Sequence, residues 1–237
     1  MAESNSPSGS LIPPEARDSW YSQITICFSD GKQYRIPIEL SASGTHLPAI
    51  KEKSPPWVEL GYHKCPCCPL PPSHRTCPAA ASMDATLSPL LTRRSFEKVT
   101  AIAEDGAGRR TIAEMPLQAV GAVLVQVAVM SSGCPVGHFF RPLVHDLRPF
   151  ATQRELLRHL LRHVLLQQRG EVSGLRRELH RLLDPLHVVL SHLWRRISEA
   201  GTSGGDAVAN SLVRLDAFTG SIPLSVRNWV VSFRRTR

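Results

Sequence analysis

Six cysteines are the side chains in this 237-residue sequence with the clearest capacity for chemistry. Four of them are followed directly by proline and have the spacing C-x₂-C-x₈-C-x₅₆-C; they are Cys65, Cys68, Cys77 and Cys134. Two thiolates at C-x₂-C spacing bind one ion from a single turn, and two further cysteines complete a tetrahedron. Proline fixes φ, so a Cys-Pro loop loses less entropy on ligation than a flexible loop. We therefore predict that these four cysteines bind one metal ion or cluster.

Zinc and an iron–sulfur cluster both accept four thiolates, and the spacing alone does not separate them. The common iron–sulfur spacings, in which three cysteines lie close together and one lies apart, do not match this sequence, which favours zinc. Two histidines flank the cysteine-rich segment, and either His63 or His74 is a possible substitute for one cysteine ligand.

Thiol redox chemistry is the second interpretation of the same cysteines. A redox dithiol normally lies at the start of a helix that lowers the thiol pKa, whereas Pro69, Pro71 and Pro72 follow this C-x₂-C pair. Inert buried thiols are the third interpretation. The remaining cysteines are interpreted as one face of a strand (Cys27) and a spare thiol (Cys67). Whether the protein is an enzyme stays open at this point.

The compartment expected for these cysteines follows from what the sequence lacks. The longest apolar run, residues 119–130, is interrupted by Gln126 and is too short to cross a bilayer as a helix. The polar N-terminus does not have the pattern of a signal peptide. We therefore predict a cytoplasmic protein without a membrane span. In such a reducing compartment, six cysteines indicate metal binding or catalysis more than disulfides.

Arginine dominates the charge of the last third of the chain. Residues 151–237 contain 14 Arg and no Lys against 7 acidic residues, so they carry +7 of the total net charge of +8. Such a basic segment indicates either solvated helix faces or a nucleic-acid or other anionic partner. No stacking platform for RNA and no phosphate-binding loop accompanies it. Partners therefore remain unknown, and an anionic partner or a protein partner is an alternative function of this half.

The elements that must position the cysteines can be read from the hydrophobic periodicity. Two period-two runs turn at Asp30-Gly31, and a second pair turns at Asp105-Gly106, so two β-hairpins are expected. Pro37 places its strand at an edge of the sheet. Between the hairpins lies a Pro/Cys-rich loop over residues 54–89.

Helices follow the second hairpin. We predict one over residues 117–130, one capped by Thr152 with Glu155, a longer one with a kink or break near Pro185, and two more over 208–215 and 226–233. The fold class is α+β, with a small antiparallel sheet of two hairpins and a helical C-terminal half. Residues 1–19 are expected to be a disordered leader. Residues 20–237 are expected to form one domain, with the sheet and Cys-Pro loop in 20–150 and the helical part in 151–237.

Several short motifs together resemble an uncharacterised bacterial family that is known only as a domain of unknown function. They are Asp30-Gly31, Pro56-Trp57, the His-x-Cys-Pro-x-Cys-Pro-Leu-like segment His63–Leu70, Cys77-Pro78, Ser132–Pro135, Arg148–Thr152 and Leu215–Phe218. Cys67 and the Arg-rich helical half depart from the family pattern. The resemblance covers residues 22–220. It implies that hairpins, cysteine loop and helices form one unit, and it implies no activity.

Overall fold

The computed structural model describes residues 23–41, 44–46, 54–105, 107–145, 147–168, 174–201 and 204–235. Side chains are described for the same residues except 39–41, 44–46, 145 and 223–235. The predicted leader, residues 1–19, lies outside the described residues. The α+β class is confirmed, because a small antiparallel sheet is followed by a mostly helical C-terminal half.

In the described part of the chain, six strands form two sheets. Their bounds are Gln23–Phe28 (β1), Gln33–Pro37 (β2), Glu39–Ser41 (β3), Gly44–His46 (β4), Lys98–Glu104 (β5) and Arg110–Pro116 (β6). The larger sheet has the order β2-β1-β5-β6, and the other pairs β3 with β4. Both predicted hairpins are therefore confirmed, and the strand with Pro37 does lie at an edge. That strand ends at Pro37, however, and residues 39–41 turn away to pair with β4.

One face of the four-stranded sheet is buried because alternate residues of its strands are apolar. Ile24 lies opposite Ile36 on one side and Ala103 on the other, and Ile26 lies opposite Ala101. All five of these side chains are buried. The opposite face carries polar residues such as Thr100, which is the pattern of an antiparallel sheet with one covered face.

Seven helices lie within the described residues. Their bounds are Pro78–Leu87 (α1), Leu117–Ser131 (α2), Pro135–His138 (α3), Pro142–His145 (α4), Gln153–Gln167 (α5), Leu175–Glu199 (α6) and Ala207–Arg235 (α7). Thr152 and Glu155 form the predicted capping box at the start of α5. None of the helices in the described ranges is long and apolar enough to cross a bilayer.

Helix α2 lies at the centre of the core and contacts α1, α3 and α7. Its close approach to α7 depends on Gly121, since a Cβ there would lie 2.0 Å from Oγ of Ser211. Only a residue without a side chain allows this crossing. The helix is apolar around most of its circumference because it is covered on several sides.

The cysteine-rich segment is less irregular than its composition predicts. Residues 54–89 were expected to form a loop, but α1 occupies Pro78–Leu87 within it. The run Ala79-Ala80-Ala81 has high helix propensity, and all three side chains are buried. The loop therefore ends at Cys77, and helices begin well before the predicted helical half.

One helix prediction was wrong in its boundaries, and of the kink or break expected near Pro185 the break does not occur. Helix α6 continues unbroken through Pro185, although proline removes one backbone hydrogen bond. Buried leucines on both sides of Pro185, among them Leu182 and Leu186, pack in the core and offset that loss. The two helices predicted after residue 207 are one helix, because α7 packs along both α2 and α6.

Candidate metal centre

Residues 58–77 form a long hairpin-like loop that holds the C-x₂-C pair. The N–H of Leu60 donates to the carbonyl of Arg75 at 2.9 Å, and the N–H of Cys77 donates to the carbonyl of Val58 at 2.8 Å. These bonds align 58–60 antiparallel to 75–77. The chain that leaves with Cys65 and Cys68 is thereby brought back at Cys77.

The C-x₂-C pair lies in a tight turn within this loop. The N–H of Cys68 donates to the carbonyl of Cys65 at 3.0 Å, which closes the turn. Nζ of Lys64 donates to the carbonyl of Leu70 at 2.7 Å and so joins the residue before the turn to a residue after it. The turn is thus ordered by backbone groups and one lysine, although the segment carries few apolar side chains.

Cys77 and Cys134 share a position that the sequence reasoning did not anticipate. Each is the N-cap of a helix, α1 and α3 respectively, and in each case the following proline occupies the first helical position. Proline is favoured there because its missing N–H has no partner in the first turn of a helix. Two of the four Cys-Pro pairs therefore mark helix starts, not only stiff loops.

The two helix starts lie near each other. A Cβ added to Gly133 would lie 3.7 Å from Cβ of Pro78, so the residues next to Cys134 and Cys77 are neighbours in space. Helix α3 can reach this position because Gly137 packs directly on α2. A Cβ at Gly137 would lie 2.1 Å from the carbonyl oxygen of Val129. The C-terminal end of α2 therefore presents Cys134 to the loop.

Three of the four thiols are buried and influence one another. The exposed fractions are 8% for Cys65, 9% for Cys77 and 8% for Cys134, while Cys68 is half-buried. Burial raises the pKa of Cys65 to about 12, and the neighbouring Cys77, Cys67 and Cys134 add to this rise. The structure therefore brings the predicted cysteines into one region.

Opposing effects act on the pKa of the Cys134 thiol. Burial raises its pKa, and the nearby Cys77 and Cys68 raise it further. Hydrogen bonds from the backbone N–H groups of Gly137 and Val136 act in the other direction, because they favour the thiolate. Helix α3 thus supplies donors to this sulfur, but burial outweighs them as long as the thiol is without a counter-charge.

Arg196 is a buried cation beside the cysteine loop that sequence reasoning missed. Its side chain is 1% exposed, and Nη1 donates to the carbonyls of Trp57 and Glu59, both at 2.7 Å. Nη2 donates to the carbonyl of Leu60 at 3.2 Å. The residue lies seven positions after Val189, on the buried face of α6, and that spacing is a signal that would have located it.

The positive charge of Arg196 favours a thiolate at Cys65. The guanidinium lowers the pKa of Cys65, although burial and the neighbouring thiols outweigh this effect. Its Nε is buried and has no hydrogen-bond partner among the described residues. A buried donor without an acceptor is costly, so an anionic sulfur nearby would improve this arrangement.

The two histidines considered as substitute ligands differ in their contacts. Nε2 of His63 contacts Oε2 of Glu199 at 2.6 Å, and the backbone carbonyl of His63 accepts from Nδ1 of His192 at 3.0 Å. These contacts attach the loop to α6. His74 is exposed, next to Arg75 near the base of the loop.

The remaining two cysteines lie outside the buried group. Cys67 is exposed, and its Sγ is 3.9 Å from the carbonyl oxygen of Pro185. Cys27 is half-buried on the open face of β1, as the strand alternation indicated. All six cysteines are free thiols in this structure. As the side chains stand, no three His, Cys, Asp or Glu residues in the described ranges form a group that could hold a metal ion.

A comparison with protein families decides where the chain belongs. The model of a family described as a domain of unknown function (DUF6901) matches residues 23–236. The chain belongs to this family. The predicted resemblance to an uncharacterised family is thereby confirmed, and the match includes the sheet, the cysteine loop and all seven helices. No curated protein and no solved structure matches the chain.

The DUF6901 match does not assign a role to the arginines of the helical half. Most of those in the described ranges are exposed, such as Arg158 and Arg162 on α5 and Arg195 on α6. Arg196 differs because it is buried and donates hydrogen bonds to backbone carbonyls of the cysteine loop. A nucleic-acid, anionic or protein partner for the exposed arginines stays a prediction.

Proposed function

We propose that Cys65, Cys68, Cys77 and Cys134 bind one zinc ion, which joins the cysteine loop to helices α1 and α3. The single observation that carries this proposal is the convergence of the C-x₂-C turn with two neighbouring Cys-Pro helix starts and a buried arginine. Four thiols in one place are the ligand set of structural zinc sites. An iron–sulfur cluster on the same cysteines is the alternative cofactor, with a sensing or redox role.

The charges around the thiols support metal binding over free thiols. Four thiolates and one Zn²⁺ carry a net charge of about −2, which is costly to bury without compensation. Arg196 supplies one positive charge next to Cys65, and the N–H groups of Val136 and Gly137 donate to Cys134. Buried thiols whose pKa values lie above the usual value are poor nucleophiles, which counts against a thiol-based enzyme.

The energetic role of the metal follows from the composition of the loop. Residues 61–76 bury few large apolar side chains, so ordering them gains little from the hydrophobic effect. A metal–thiolate link would contribute the missing stability, since binding free energy in such sites is also folding free energy. Because the thiols do not form a ready ligand group as they stand, binding requires side-chain rotations at these cysteines. We place this chemistry in a reducing compartment such as the cytoplasm.

The test is elemental analysis of the untagged full chain, purified without oxygen, together with its visible absorption spectrum. We expect about one zinc per chain and no colour in the wild-type protein. Cys134→Ser should lose the zinc and lower the melting temperature. Cys67→Ser, a change in the same loop at an exposed thiol, is the matched control and should retain both.

Three results would change the assignment. Iron and sulfide with a brown colour would make the centre a cluster. Retention of metal and melting temperature by Cys134→Ser would contradict closure of the site by this residue. A wild-type protein without any metal would overturn the proposal and favour the thiol redox alternative, which rapid alkylation of one cysteine at neutral pH would then support.

A further inference from the structure

A second feature of the molecule lies away from the cysteines, between α2, α5 and α7. It is a cavity of about 280 Å³. Most of its lining is apolar, and the members that matter most are Ala119, Ala122, Val123, Phe150 and Phe218. At about 30 Å³ per water-sized unit, the volume corresponds to roughly nine non-hydrogen atoms. It is therefore of the size that holds a small organic molecule.

Helix α2 forms the floor of the cavity. Ala119, Ala122, Val123 and Gln126 lie on one face at helical spacing, and each is only half-buried, whereas the other faces of α2 are covered by α1, α7 and the sheet. The alanines leave room where larger residues would fill the gap. Gln126 brings a polar amide into this surface, and its side chain makes no hydrogen bond with another described residue.

A strained residue forms part of the wall. Phe150 has φ of +56°, a region that a bulky residue rarely adopts and that costs about 1–3 kcal/mol. Such strain persists only where the surrounding structure fixes it, and it is concentrated at ligand-binding and catalytic sites. Phe150 therefore indicates that this wall is held in position at an energetic cost.

The segment next to Phe150 shows how it is held. Nε of Arg148 donates to Oε1 of Glu155 at 3.0 Å, and the backbone N–H of Thr152 donates to Oε2 of the same carboxylate at 2.8 Å. The hydroxyl of Thr152 accepts from the N–H of Glu155 at 3.3 Å. The carboxylate of Glu155 is thus paired with Arg148 and Thr152. Its negative charge is therefore compensated and does not repel an anion at the cavity.

The rim also carries a positive charge. Arg214 on α7 lines the cavity and is exposed. Its guanidinium makes no ion pair or hydrogen bond with another described residue. A guanidinium at the mouth of an apolar cavity is suited to a carboxylate, which it binds through two parallel hydrogen bonds. Thr152 and Gln153 add further polar groups to the lining.

We propose that this cavity binds a small amphipathic carboxylate, with its apolar body against Ala119, Ala122 and Phe150 and its carboxylate at Arg214. A few polar groups at the edge of an apolar cavity are the usual composition of small-molecule sites. The segment 150–152 before α5 meets Leu215 and Phe218 of α7 at this cavity, and neither takes part in the cysteine centre. The proposal is independent of the metal site.

The experiment is an NMR titration of the full chain with octanoate, which has ten non-hydrogen atoms, and with octan-1-ol, which has the same chain and no charge. We expect saturable octanoate binding with a Kd of about 1 mM or tighter. Arg214→Gln should weaken octanoate binding about tenfold and leave octan-1-ol binding unchanged. Arg158→Gln, an exposed arginine of α5 outside the cavity, is the matched control and should bind octanoate like the wild type.

A cavity-filling variant tests the location. Ala122→Leu adds three carbon atoms into the open space, so the protein should fold with an unchanged or higher melting temperature and lose octanoate binding. Equal affinity for octanoate in Ala122→Leu and wild type would overturn the assignment of the cavity. Equal affinity for octanoate and octan-1-ol in the wild type would overturn recognition of the carboxylate. A wild-type dimer that Ala122→Leu dissociates would show that a second copy of the chain covers this face, and would overturn the proposal as well.

Discussion

Nη1 of Arg196 donates a hydrogen bond to the carbonyl oxygen of Trp57 at 2.7 Å, across 139 residues of sequence. This bond, with those to Glu59 and Leu60, attaches the start of the cysteine loop to helix α6. The same guanidinium acts electrostatically on Cys65. One buried side chain therefore links the helical half to the candidate metal centre.

Replacement of Arg196 by Met should be strongly destabilising. Met fills much of the same volume but removes all three hydrogen bonds, and only the carbonyl of Glu59 keeps another donor, the N–H of Tyr62, so we expect the free energy of unfolding to fall by about 2–4 kcal/mol. Urea unfolding measures this change. Arg195→Met alters the neighbouring, exposed arginine and should stay within about 0.5 kcal/mol of the wild type. Equal effects of the two substitutions would show that the Arg196 contacts contribute nothing specific.

The stability of the metal-free protein should fall at alkaline pH. The pKa of Cys65 is about 12 in the folded protein against a usual value near 9, so the folded state keeps a proton that the unfolded chain releases. This stabilisation is complete below pH 9 and is lost as pH rises toward 12, by up to about 1.4 kcal/mol per pH unit. Urea unfolding at about pH 8 to about pH 10.5 measures the slope.

Two variants isolate the contribution of Cys65 to that slope. Cys65→Ser should flatten it, while Cys27→Ser, on the open face of β1, should not. With zinc bound the slope of stability against pH should have the opposite sign, because protons compete with the metal for thiolates. Stability should then be lost as pH falls. An identical alkaline slope in the wild type and Cys65→Ser would contradict the raised pKa of this thiol.

The crossing of α2 and α7 gives a third prediction. Gly121→Ala places a Cβ 2.0 Å from Oγ of Ser211, so the helices must separate and the protein should lose about 1–3 kcal/mol of stability. Gly220→Ala is the matched change in α7, where a Cβ meets nothing within 4 Å, and it should stabilise the protein by about 1 kcal/mol. Thermal or urea unfolding distinguishes the two. If Gly121→Ala also stabilised the protein, the close crossing would be wrong.

The capping box of α5 should respond to acid. Backbone and side-chain hydrogen bonds from Thr152, together with Arg148, lower the pKa of Glu155 to about 2. A lowered pKa means that this stabilisation is present above the usual value of 4.5 and is lost as pH falls toward 2. Amide hydrogen exchange of the first turn of α5, followed between those pH values and divided by the intrinsic exchange rate at each pH, should therefore show protection that falls with acid in the wild type.

Glu155→Gln is the control for that measurement, because glutamine retains the capping hydrogen bonds but carries no charge. Its exchange should show no acid transition from this residue. A wild-type transition near pH 4.5 would indicate that the ion pair with Arg148 and the bonds from Thr152 do not form in solution.

The exposed arginines give a fifth prediction, which tests the partner hypothesis. If they bind a nucleic-acid backbone, affinity for duplex DNA should decrease steeply with salt, because bound phosphates release counterions. Arg158→Gln together with Arg162→Gln should reduce the steepness of this dependence. Fluorescence anisotropy at about 50 and about 200 mM salt measures it. Binding that does not change with salt would count against this partner.

Local patterns determined much of the fold. The alternation around Asp30-Gly31 and Asp105 predicted both hairpins, because strand periodicity and turn chemistry are properties of neighbouring residues. The capping box at Thr152 was predicted for the same reason. The boundary predicted after Leu215 was wrong, and α6 has no break at Pro185, since packing of α6 and α7 overrides the local preference of single residues for a break.

The sequence by itself determined the chemistry available at the candidate centre, namely four Cys-Pro thiols at a chelating spacing, and the family to which the chain is similar. Only the tertiary structure decided that Cys77 and Cys134 begin neighbouring helices, that Arg196 acts electrostatically on Cys65, and that Phe150, Ala122 and Arg214 line one cavity. These relationships join residues far apart in the chain. They arise from the packing of α2, α6 and α7, which depends on the combined shape of many side chains and not on the spacing of any one motif.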